Sequence, residues 1–371
     1  MLLAWAAQTV TVYSNFGGNW SALYQLGDQA PPRPEWDRDS LYIHAGTKGY
    51  DGQFYRLLAH DPLLARTSPR AFDSPRMRRR RILVPALAWL TGFGRDSAID
   101  YAYPAVILGF LAAGVYWTGR FAMRASLDPA WGLCFLLLPA AAISVERMTV
   151  DIALAALAAG FALYADEGSR RRLWAVAAAA PLARETGVAL PAALLLERAL
   201  RRDWRGALQA AAALVPWACW SIYVQLSTPP DHVRMAALRP FRGLWLRSRQ
   251  LLGWSGDWNR HAAAAALDDL AIIGVWLLIG FTAYRLLRGP RGPVEWALGA
   301  FLAVPVFVLY PGVWTEMYAF GRIMTPALLW LGFIAMRERR WLFAVPAALM
   351  IPRMAAQWAA HALGELSGIA K

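Results

Sequence analysis

Runs of apolar residues, each close to the length of a membrane crossing and with few or no charges, limit what this chain can fold into. The clearest runs are 99–118, 207–223, 270–287, 294–310 and 317–336, with a shorter Ala-rich run at 152–165. A helix needs roughly 20 apolar residues to cross ~30 Å of hydrocarbon. The chain is also 58% hydrophobic with a mean hydropathy of +0.33, which is too apolar for a soluble domain. We therefore predict an all-α transmembrane helix bundle of about ten or eleven helices, with residues 1–371 forming a single transmembrane domain.

Two long polar segments interrupt these runs, at residues 15–98 and 227–262. We predict that 15–98 is a first extracytoplasmic loop carrying helices that lie at the membrane interface. In 227–262, arginines alternate with Leu, Phe and Trp, a pattern typical of a basic amphipathic helix on a membrane surface. We predict that this second extracytoplasmic segment either gates the entry of a lipid or serves as an anchor.

The placement of the arginines predicts the topology. Of 38 basic residues only Lys48 and Lys371 are lysines. With a cytoplasmic N-terminus, the short cytoplasmic loops hold fifteen arginines, and those on the other side hold only Arg147, Arg184 and Arg322. Cytoplasmic loops of membrane proteins carry such an excess of positive charge. The Arg- and Ala-rich composition is typical of a bacterial chain, so we predict a multi-pass protein of the bacterial cytoplasmic membrane.

The three outer arginines each have acidic neighbours in the sequence. These are Glu146 and Asp151 around Arg147, Glu185 after Arg184, and Glu316 before Arg322. A charged side chain facing lipid costs about 2–4 kcal/mol, so charges on separate helices at one membrane face usually line a wet cavity. We predict an extracytoplasmic active site here; ion pairs that lock helix ends together are the alternative, and the two interpretations are compatible.

The segment Gly-Tyr-Asp-Gly-Gln-Phe-Tyr at 49–55 predicts a helix that starts at Asp51. Asp51 occupies the position of an N-cap, and Tyr55 and Leu58 follow on one face, which favours an amphipathic helix lying in the interface. The Asp51 carboxylate can cap this helix, and a carboxylate held rigidly in this way can also be catalytic. His60, near the end of the same helix, is a candidate hydrogen-bond partner for a substrate phosphate.

Four consecutive arginines at 78–81 run into an apolar segment. A lipid phosphate at the interface suits such a cluster, and Arg80 and Arg81 are its candidate ligands. A general contact with anionic headgroups is the alternative.

The order of these features resembles the GT-C superfamily, membrane glycosyltransferases that use lipid-linked sugars. The resemblance rests on a first helix followed by a long outer loop, the aspartate within 49–55, Arg-Arg-Ile-Leu-Val-Pro-Ala-Leu-Ala at 80–88, and Leu-Ala-Arg-Glu-Thr-Gly at 182–187 between two half-length helices. It covers most of residues 1–226 and is strongest to bacterial relatives of the glycolipid-anchor mannosyltransferases and protein O-mannosyltransferases. The short first helix and the lack of a second acidic residue beside Asp51 depart from the superfamily pattern and leave the acceptor class open.

The resemblance implies transfer of a sugar from a polyprenyl phosphate-linked donor to an acceptor at the extracytoplasmic face, with inversion. It implies that Asp51 is the catalytic base or a metal-proximal group, and that a second acidic residue lies in the next outer loop, where Glu146 and Asp151 are available. The need for a divalent cation stays open, and the expected partners are the lipid-linked donor, membrane lipids and an acceptor of undetermined class.

The chemistry of such a transfer agrees with the outer charges. It needs a base near the acceptor hydroxyl and positive groups at the leaving phosphate. Arg184, together with Arg147 or Arg322, is predicted to hold the phosphate through paired hydrogen bonds. Either Glu185 would orient Arg184 or Glu146 would orient Arg147.

Aromatic residues of the first outer loop are candidates for the sugar. Tyr50 and Tyr55, with Trp20, are predicted to stack against its apolar face, although aromatic residues at a membrane interface also serve as anchors.

Two other functional classes remain open: a transporter or flippase of a lipid-linked intermediate, and a scaffold without catalysis. No inverted repeat typical of such transporters is visible in the sequence. The histidines and the two cysteines show no ligand spacing, so we predict no metal site built on them. Nucleic acid is not expected as a partner, because the basic segments adjoin large apolar faces.

Overall fold

The computed structural model describes residues 2–37, 40–231, 240–251, 259–308 and 311–356. Over these residues the fold is helical, and an isolated bridge between Gly27 and His44 is the only β-type pairing. The helices of the first half are α1 (Leu2–Phe16), α2 (Gly52–His60), α3 (Pro75–Arg80), α4 (Leu83–Thr91), α5 (Asp96–Arg124), α6 (Pro139–Arg147), α7 (Asp151–Glu167) and α8 (Arg170–Ala183). Those of the second half are α9 (Ala189–Leu200), α10 (Trp204–Ala212), α11 (Val215–Ser227), α12 (Arg242–Ser248), α13 (Arg260–Arg288), α14 (Pro293–Val308), α15 (Met317–Glu338) and α16 (Val345–Ala348).

Four helical stretches are long and apolar enough to span a membrane: Asp96–Arg124, Trp204–Ser227, His261–Arg288 and Met317–Glu338. A fifth span results if the 3-10 helix Pro129–Leu137 and α6, which meet at 63°, are counted as one. This number is below the predicted ten or eleven, because α1, α7, α8, α9 and α14 contain only 12 to 17 residues. At 1.5 Å per residue such helices reach about 18–26 Å, less than a full hydrocarbon crossing.

The short helix α7 lies at the centre of the bundle. Every residue from Asp151 to Leu163 is buried, and the helix packs against α5, α8 and α15. Its alanines and Gly160 permit this close approach, since a Cβ on Gly160 would lie 3.1 Å from the Trp117 ring. Small residues at helix interfaces let backbones pack closely in membranes. This short Ala-rich run is therefore buried among neighbouring helices.

The helices α5, α7 and α15 run in the same direction through the bundle. Their last turns are joined by ion pairs, with Arg120 on Glu167 at 2.7 Å, Arg124 on Asp166 at 2.5 Å, and Arg337 on Asp166. At the opposite end, Asp151 in the first turn of α7 contacts Arg322 in the second turn of α15, where a second charged cluster lies. Charged side chains are thus concentrated at the two ends of the bundle, and α7 and α15 connect them.

The helix predicted to begin at Asp51 is present as α2, but it does not lie on a membrane surface. All nine of its residues are buried by protein, and it packs against α4 and α5. The expected interfacial helix is therefore corrected to an internal one. The loop that carries it continues through α3 and α4, and α5 begins at Asp96, close to the predicted loop end at residue 98.

The second polar segment lies only partly within the described residues, since 232–239 and 252–258 fall outside them. Its described part contains α12, seven residues long. Arg247 of α12 pairs with Asp269 of α13, and Leu244 is buried. This part of the segment is also attached to the bundle by a 2.9 Å hydrogen bond from Nε1 of Trp276 to the Ser248 hydroxyl and by the contact of the Phe241 ring with that of Phe307.

Candidate active site

Asp51 lies between two arginines at the end of the bundle where α7 and α15 begin. Its Oδ1 accepts a 2.8 Å hydrogen bond from Nη2 of Arg78, and its Oδ2 is 2.7 Å from Nη1 of Arg322. Asp51 stands at the N-cap position of α2, but its side chain makes no capping hydrogen bond. The carboxylate is therefore directed to the arginines rather than to the helix backbone.

The two guanidinium groups determine the charge state of Asp51. Burial raises the pKa of its carboxyl, but the positive charges of Arg322 and Arg78 outweigh this effect and hold the pKa well below its usual range. An opposite charge in direct contact favours the ionised form. Asp51 is consequently ionised at neutral pH and is a weak base for as long as both arginines contact it.

Backbone shape places Asp51 against α6. Gly49 has φ +69°, a left-handed conformation that glycine adopts without strain. Gly52 touches the end of α6, and a Cβ at this position would collide with the carbonyl oxygen of Arg147 and lie 3.0 Å from that of Tyr24. The Gly-Tyr-Asp-Gly sequence is needed here for this close contact.

Asp151, at the first position of α7, is the second carboxylate of the cluster. It forms an ion pair with Arg184, and its Oδ2 is 3.4 Å from Nη1 of Arg322. Arg322 therefore bridges Asp51 and Asp151. The turn that places Asp151 contains Met148 with φ +50° and is tied by the Ser144 hydroxyl, which accepts the Ile152 amide hydrogen at 3.1 Å.

Glu185 has a different partner from the one predicted. It binds Arg81 through Nε at 2.8 Å and Nη2 at 2.5 Å, whereas the neighbouring Arg184 is taken by Asp151. Burial raises the pKa of Glu185, but the Arg81 charge and its hydrogen bonds lower it to about 2. The expectation that Glu185 orients Arg184 is thus corrected: Glu185 orients Arg81.

Tyr55 links the ion pair of Arg78 and Asp51 to the ion pair of Arg81 and Glu185. Its hydroxyl accepts hydrogen bonds from Nη1 of Arg81 at 2.9 Å and Nη1 of Arg78 at 3.3 Å. The side chain is fully buried, so the ring has no surface on which a sugar can stack. The predicted stacking is corrected to an arginine-holding hydroxyl. We call the group formed by these side chains the Asp51 cluster; its members are Asp51, Tyr55, Arg78, Arg81, Asp151, Arg184, Glu185 and Arg322.

Several donors in the Asp51 cluster have no acceptor among the described residues. Nε of Arg184 and Nε of Arg322 are buried without a hydrogen-bond partner, and so is the nearby hydroxyl of Thr186. Buried polar groups are normally satisfied. The carboxylates of Asp51 and Asp151 are already neutralised by arginine. The unused donors beside them are therefore suited to an additional anion, such as a phosphate.

A ladder of alternating guanidinium groups and tyrosine rings extends from the Asp51 cluster. Arg322 lies 5.3 Å from the Tyr50 ring, Arg147 lies 4.6 Å from Tyr50 and 5.4 Å from Tyr318, and Arg353 lies 4.6 Å from Tyr318. Cations within about 6 Å of an aromatic ring are attracted to it. The Tyr50 ring therefore contacts two cations, Arg322 and Arg147, and this shared contact places Arg147 beside the Asp51 cluster.

Oε1 of Glu146 is 3.4 Å from Nε of Arg147, its neighbour in the sequence. Glu316, in contrast, is exposed at the start of α15 and makes no capping hydrogen bond there.

His60 and Arg80 lie outside the Asp51 cluster. The two ring nitrogens of His60 contact Asp96 at 2.8 Å and Asp100 at 3.2 Å. With a carboxylate on each nitrogen, His60 has no free group for a phosphate, and the predicted contact is corrected. Arg80 faces Gln225 of α11 at 3.3 Å.

Arg78 is the principal residue that the sequence did not single out. Its place in the Asp51 cluster is explained by the helical register of α3, since Arg78 and Arg81 are three residues apart and reach the same side. The preceding Asp73, which accepts two hydrogen bonds from Arg78 at 2.9 and 2.7 Å, is a local signal for this orientation. Nothing in the sequence around Tyr318 or Arg353 indicated the contacts of Tyr318 with Arg147 and with Arg353.

A divalent cation does not fit the Asp51 cluster as it stands. Asp51, Asp151 and Glu185 are each in contact with arginine, so a metal would have to displace a guanidinium group from each carboxylate it used. Across the described ranges, no group of three or more His, Cys, Asp and Glu side chains is arranged to share a metal ion.

Comparisons with protein-family models, with curated proteins and with solved structures gave no match.

Proposed function

We propose that the protein is a membrane glycosyltransferase that moves a sugar from a polyprenyl phosphate-linked donor to an acceptor at the extracytoplasmic face. The observation that carries the proposal is the contact of Asp51 with Arg78 and Arg322, beside the unused donors of Arg184 and Arg322. A carboxylate next to an anion site is the combination that this transfer requires. The likeness to GT-C enzymes in residues 1–226 supports the same proposal.

The donor phosphate replaces the Asp51 carboxylate as the partner of Arg322. Its oxygens accept hydrogen bonds from Arg184 and Arg322, and the guanidinium of Arg322 turns from Asp51 toward the phosphate. With one positive neighbour fewer, the pKa of Asp51 rises toward its ordinary value. The weakly basic Asp51 carboxylate thus becomes a competent base only when the donor is bound.

The reaction is then a single displacement. The acceptor hydroxyl oxygen attacks the anomeric carbon, Asp51 takes the hydroxyl proton, and the bond between the anomeric carbon and the phosphate oxygen breaks. The leaving phosphate keeps the electron pair, and the arginines stabilise its charge. Attack opposite the leaving group inverts the anomeric configuration. Phosphate is a good leaving group, so charge stabilisation does most of the work.

The alternative, a transporter or flippase of a lipid-linked intermediate, is favoured by one feature. The 3-10 helix Pro129–Leu137 and α6 form a span bent by 63°, and broken helices line the sites of many transporters. However, the Asp51 cluster gathers where α7 and α15 begin, whereas transporter sites lie near the bilayer midplane.

The test is transfer of label by the full chain reconstituted in liposomes, with a panel of radiolabelled polyprenyl phosphate sugars and a membrane extract as the source of acceptor. The proposal predicts a labelled product with one donor and release of unsubstituted polyprenyl phosphate in equal amount. Movement of intact donor across the bilayer without release of polyprenyl phosphate would contradict it and support the alternative.

A further inference from the structure

Arg79 differs from the other buried arginines. The described residues contain six arginines that are more than nine-tenths buried, and five of them, Arg56, Arg78, Arg81, Arg184 and Arg285, contact a carboxylate. Arg79 is 1% exposed and no described carboxylate lies within 4 Å of its guanidinium group. A buried charge without a counterion is strongly unfavourable. The position therefore calls for an anion.

The groups around Arg79 are neutral: hydroxyls and rings at the C-terminal end of α11, and the backbone oxygen of Leu63, which accepts a 3.1 Å hydrogen bond from Nη2 of Arg79. Its Nη1 donates to the hydroxyls of Ser227 at 2.9 Å and Thr228 at 2.5 Å, and its guanidinium lies 5.8 Å from the Trp220 ring and 5.2 Å from the Tyr223 ring. Its Nε is buried without a partner. These contacts position the guanidinium but do not neutralise it.

Two further arginines share this side of α3. Arg76 donates to the backbone oxygens of Thr228 at 2.8 Å and Gln225 at 3.2 Å. Arg80 contacts the Gln225 side chain at 3.3 Å, and its Nε is also buried without a partner. We call Arg76, Arg79 and Arg80 the Arg79 face. It is separate from the Asp51 cluster, which receives Arg78 and Arg81.

The charge of the Arg79 face is only partly offset. The Asp231 carboxylate accepts the backbone amide hydrogens of Arg76 at 2.8 Å and Met77 at 3.2 Å. The C-terminal end of α11 adds roughly half a negative charge from its dipole. Against three guanidinium groups this leaves an excess of about one and a half positive charges.

The Arg79 face stands at the end of an apolar span. α11 closes the stretch Trp204–Ser227, and its outward side chains include Tyr223, 40% exposed, and Leu226, 84% exposed. A cationic site that follows such a surface lies at the depth of lipid headgroups, and arginine is suited to phosphate.

We propose that a phosphate-bearing anion binds the Arg79 face, with the phosphate of an anionic lipid as its source in the membrane. Arg80 and Arg76 contact the phosphate at the partly open edge of the site, and the buried charge of Arg79 strengthens their hold. This site is independent of the proposed transfer reaction. It attaches the end of α11 to α3, the helix whose other side holds Asp51.

The test uses the detergent-solubilised full chain titrated with phosphatidylglycerol and, in a second series, phosphatidylcholine, with bound lipid counted by native mass spectrometry. Arg80→Gln is the variant, because Arg80 is only partly buried and its replacement leaves Arg79 in place. Arg70→Gln is the matched control, since Arg70 is exposed and the charge change is equal.

The proposal predicts that Arg80→Gln weakens phosphatidylglycerol binding roughly fivefold, the value of one arginine at a headgroup site, and that Arg70→Gln does not. Phosphatidylcholine should bind weakly to all three proteins. Inorganic phosphate added at millimolar concentration distinguishes the sources. Displacement of the lipid by phosphate in the wild type alone would support the anion site with free phosphate as its ligand. Equal phosphatidylglycerol binding by wild type and both variants would overturn the proposal.

Discussion

Arg322, in the second turn of α15, lies 2.7 Å from Asp51, the residue that precedes α2. The same guanidinium nitrogen is 3.4 Å from Asp151 at the start of α7. One side chain thus connects the first loop, the central helix and the most buried long helix of the bundle. In the proposed reaction it is also the group that moves from carboxylate to phosphate.

The pair of Asp151 and Arg184 is expected to be strongly coupled. Asp151→Asn or Arg184→Gln alone leaves a buried charge without its partner and should cost about 3–5 kcal/mol of the free energy of unfolding. The double variant removes both charges and should be less destabilised than the sum of the two. Unfolding in detergent measured for all four proteins gives the coupling energy. Additive losses would show that the two side chains are not coupled and would contradict the prediction.

Removal of the Tyr55 hydroxyl should loosen two arginines at once. Tyr55→Phe leaves donors of Arg78 and Arg81 without an acceptor, and we expect a loss of about 1–3 kcal/mol in the free energy of unfolding. Tyr101→Phe is the matched control, because Tyr101 is exposed. Thermal unfolding of the two variants should differ by several degrees. Equal midpoints would contradict the role given to the Tyr55 hydroxyl.

Two glycine substitutions should differ in their effect on stability. Gly52→Ala forces a Cβ into the Arg147 carbonyl oxygen, whereas nothing lies within 4 Å of a Cβ at Gly109 in α5. Gly52→Ala should therefore destabilise the fold and reduce transfer, and Gly109→Ala should be neutral or stabilise by up to about 1 kcal/mol. Unfolding midpoints and transfer rates check both. Tolerance of Gly52→Ala without change would contradict the close contact of α2 with α6.

Acid should weaken the structure through Glu185. Its folded pKa, about 2, is below the unfolded value of about 4.3. Its contribution to stability is therefore complete above the unfolded value and is lost as the pH falls toward 2. Because the Glu185 side chain is 38% exposed, solvent reduces the size of the effect but not its sign. Glu185→Gln should lower the stability at pH 6 and flatten its fall between pH 5 and 2. Parallel stability curves for wild type and variant would contradict this.

The sequence predicted much of the Asp51 cluster because its charges are individually conspicuous. Arg184, Arg322 and Asp151 each interrupt or begin an apolar helix, and a charge in such a position must find a partner. The pairing of these charges was not predictable. Glu185 stands beside Arg184 in sequence but binds Arg81, because the backbone between them is extended at Arg184.

The unexpected positions of Arg78, Arg80 and α2 have a common physical reason. Within the run 78–81, side chains divide between two sides of a short helix, and the division depends on where α3 begins. A shift of one residue would place Arg79 where Arg78 lies. The burial of α2 depends likewise on α4 and α5, which pack over it, and its own apolar pattern does not distinguish lipid from protein as the covering surface.

In the proposed reaction, Asp51 acts as the base of the sugar transfer. The direct measurement is label transfer by wild type, Asp51→Asn and the matched control Asp166→Asn, reconstituted at equal amounts of folded protein. Asp166 also contacts two arginines, at the opposite end of the bundle. We expect Asp51→Asn to lose at least 100-fold in rate while still binding the donor, and Asp166→Asn to retain wild-type transfer. Equal transfer by wild type and Asp51→Asn would contradict the role of Asp51 as the base.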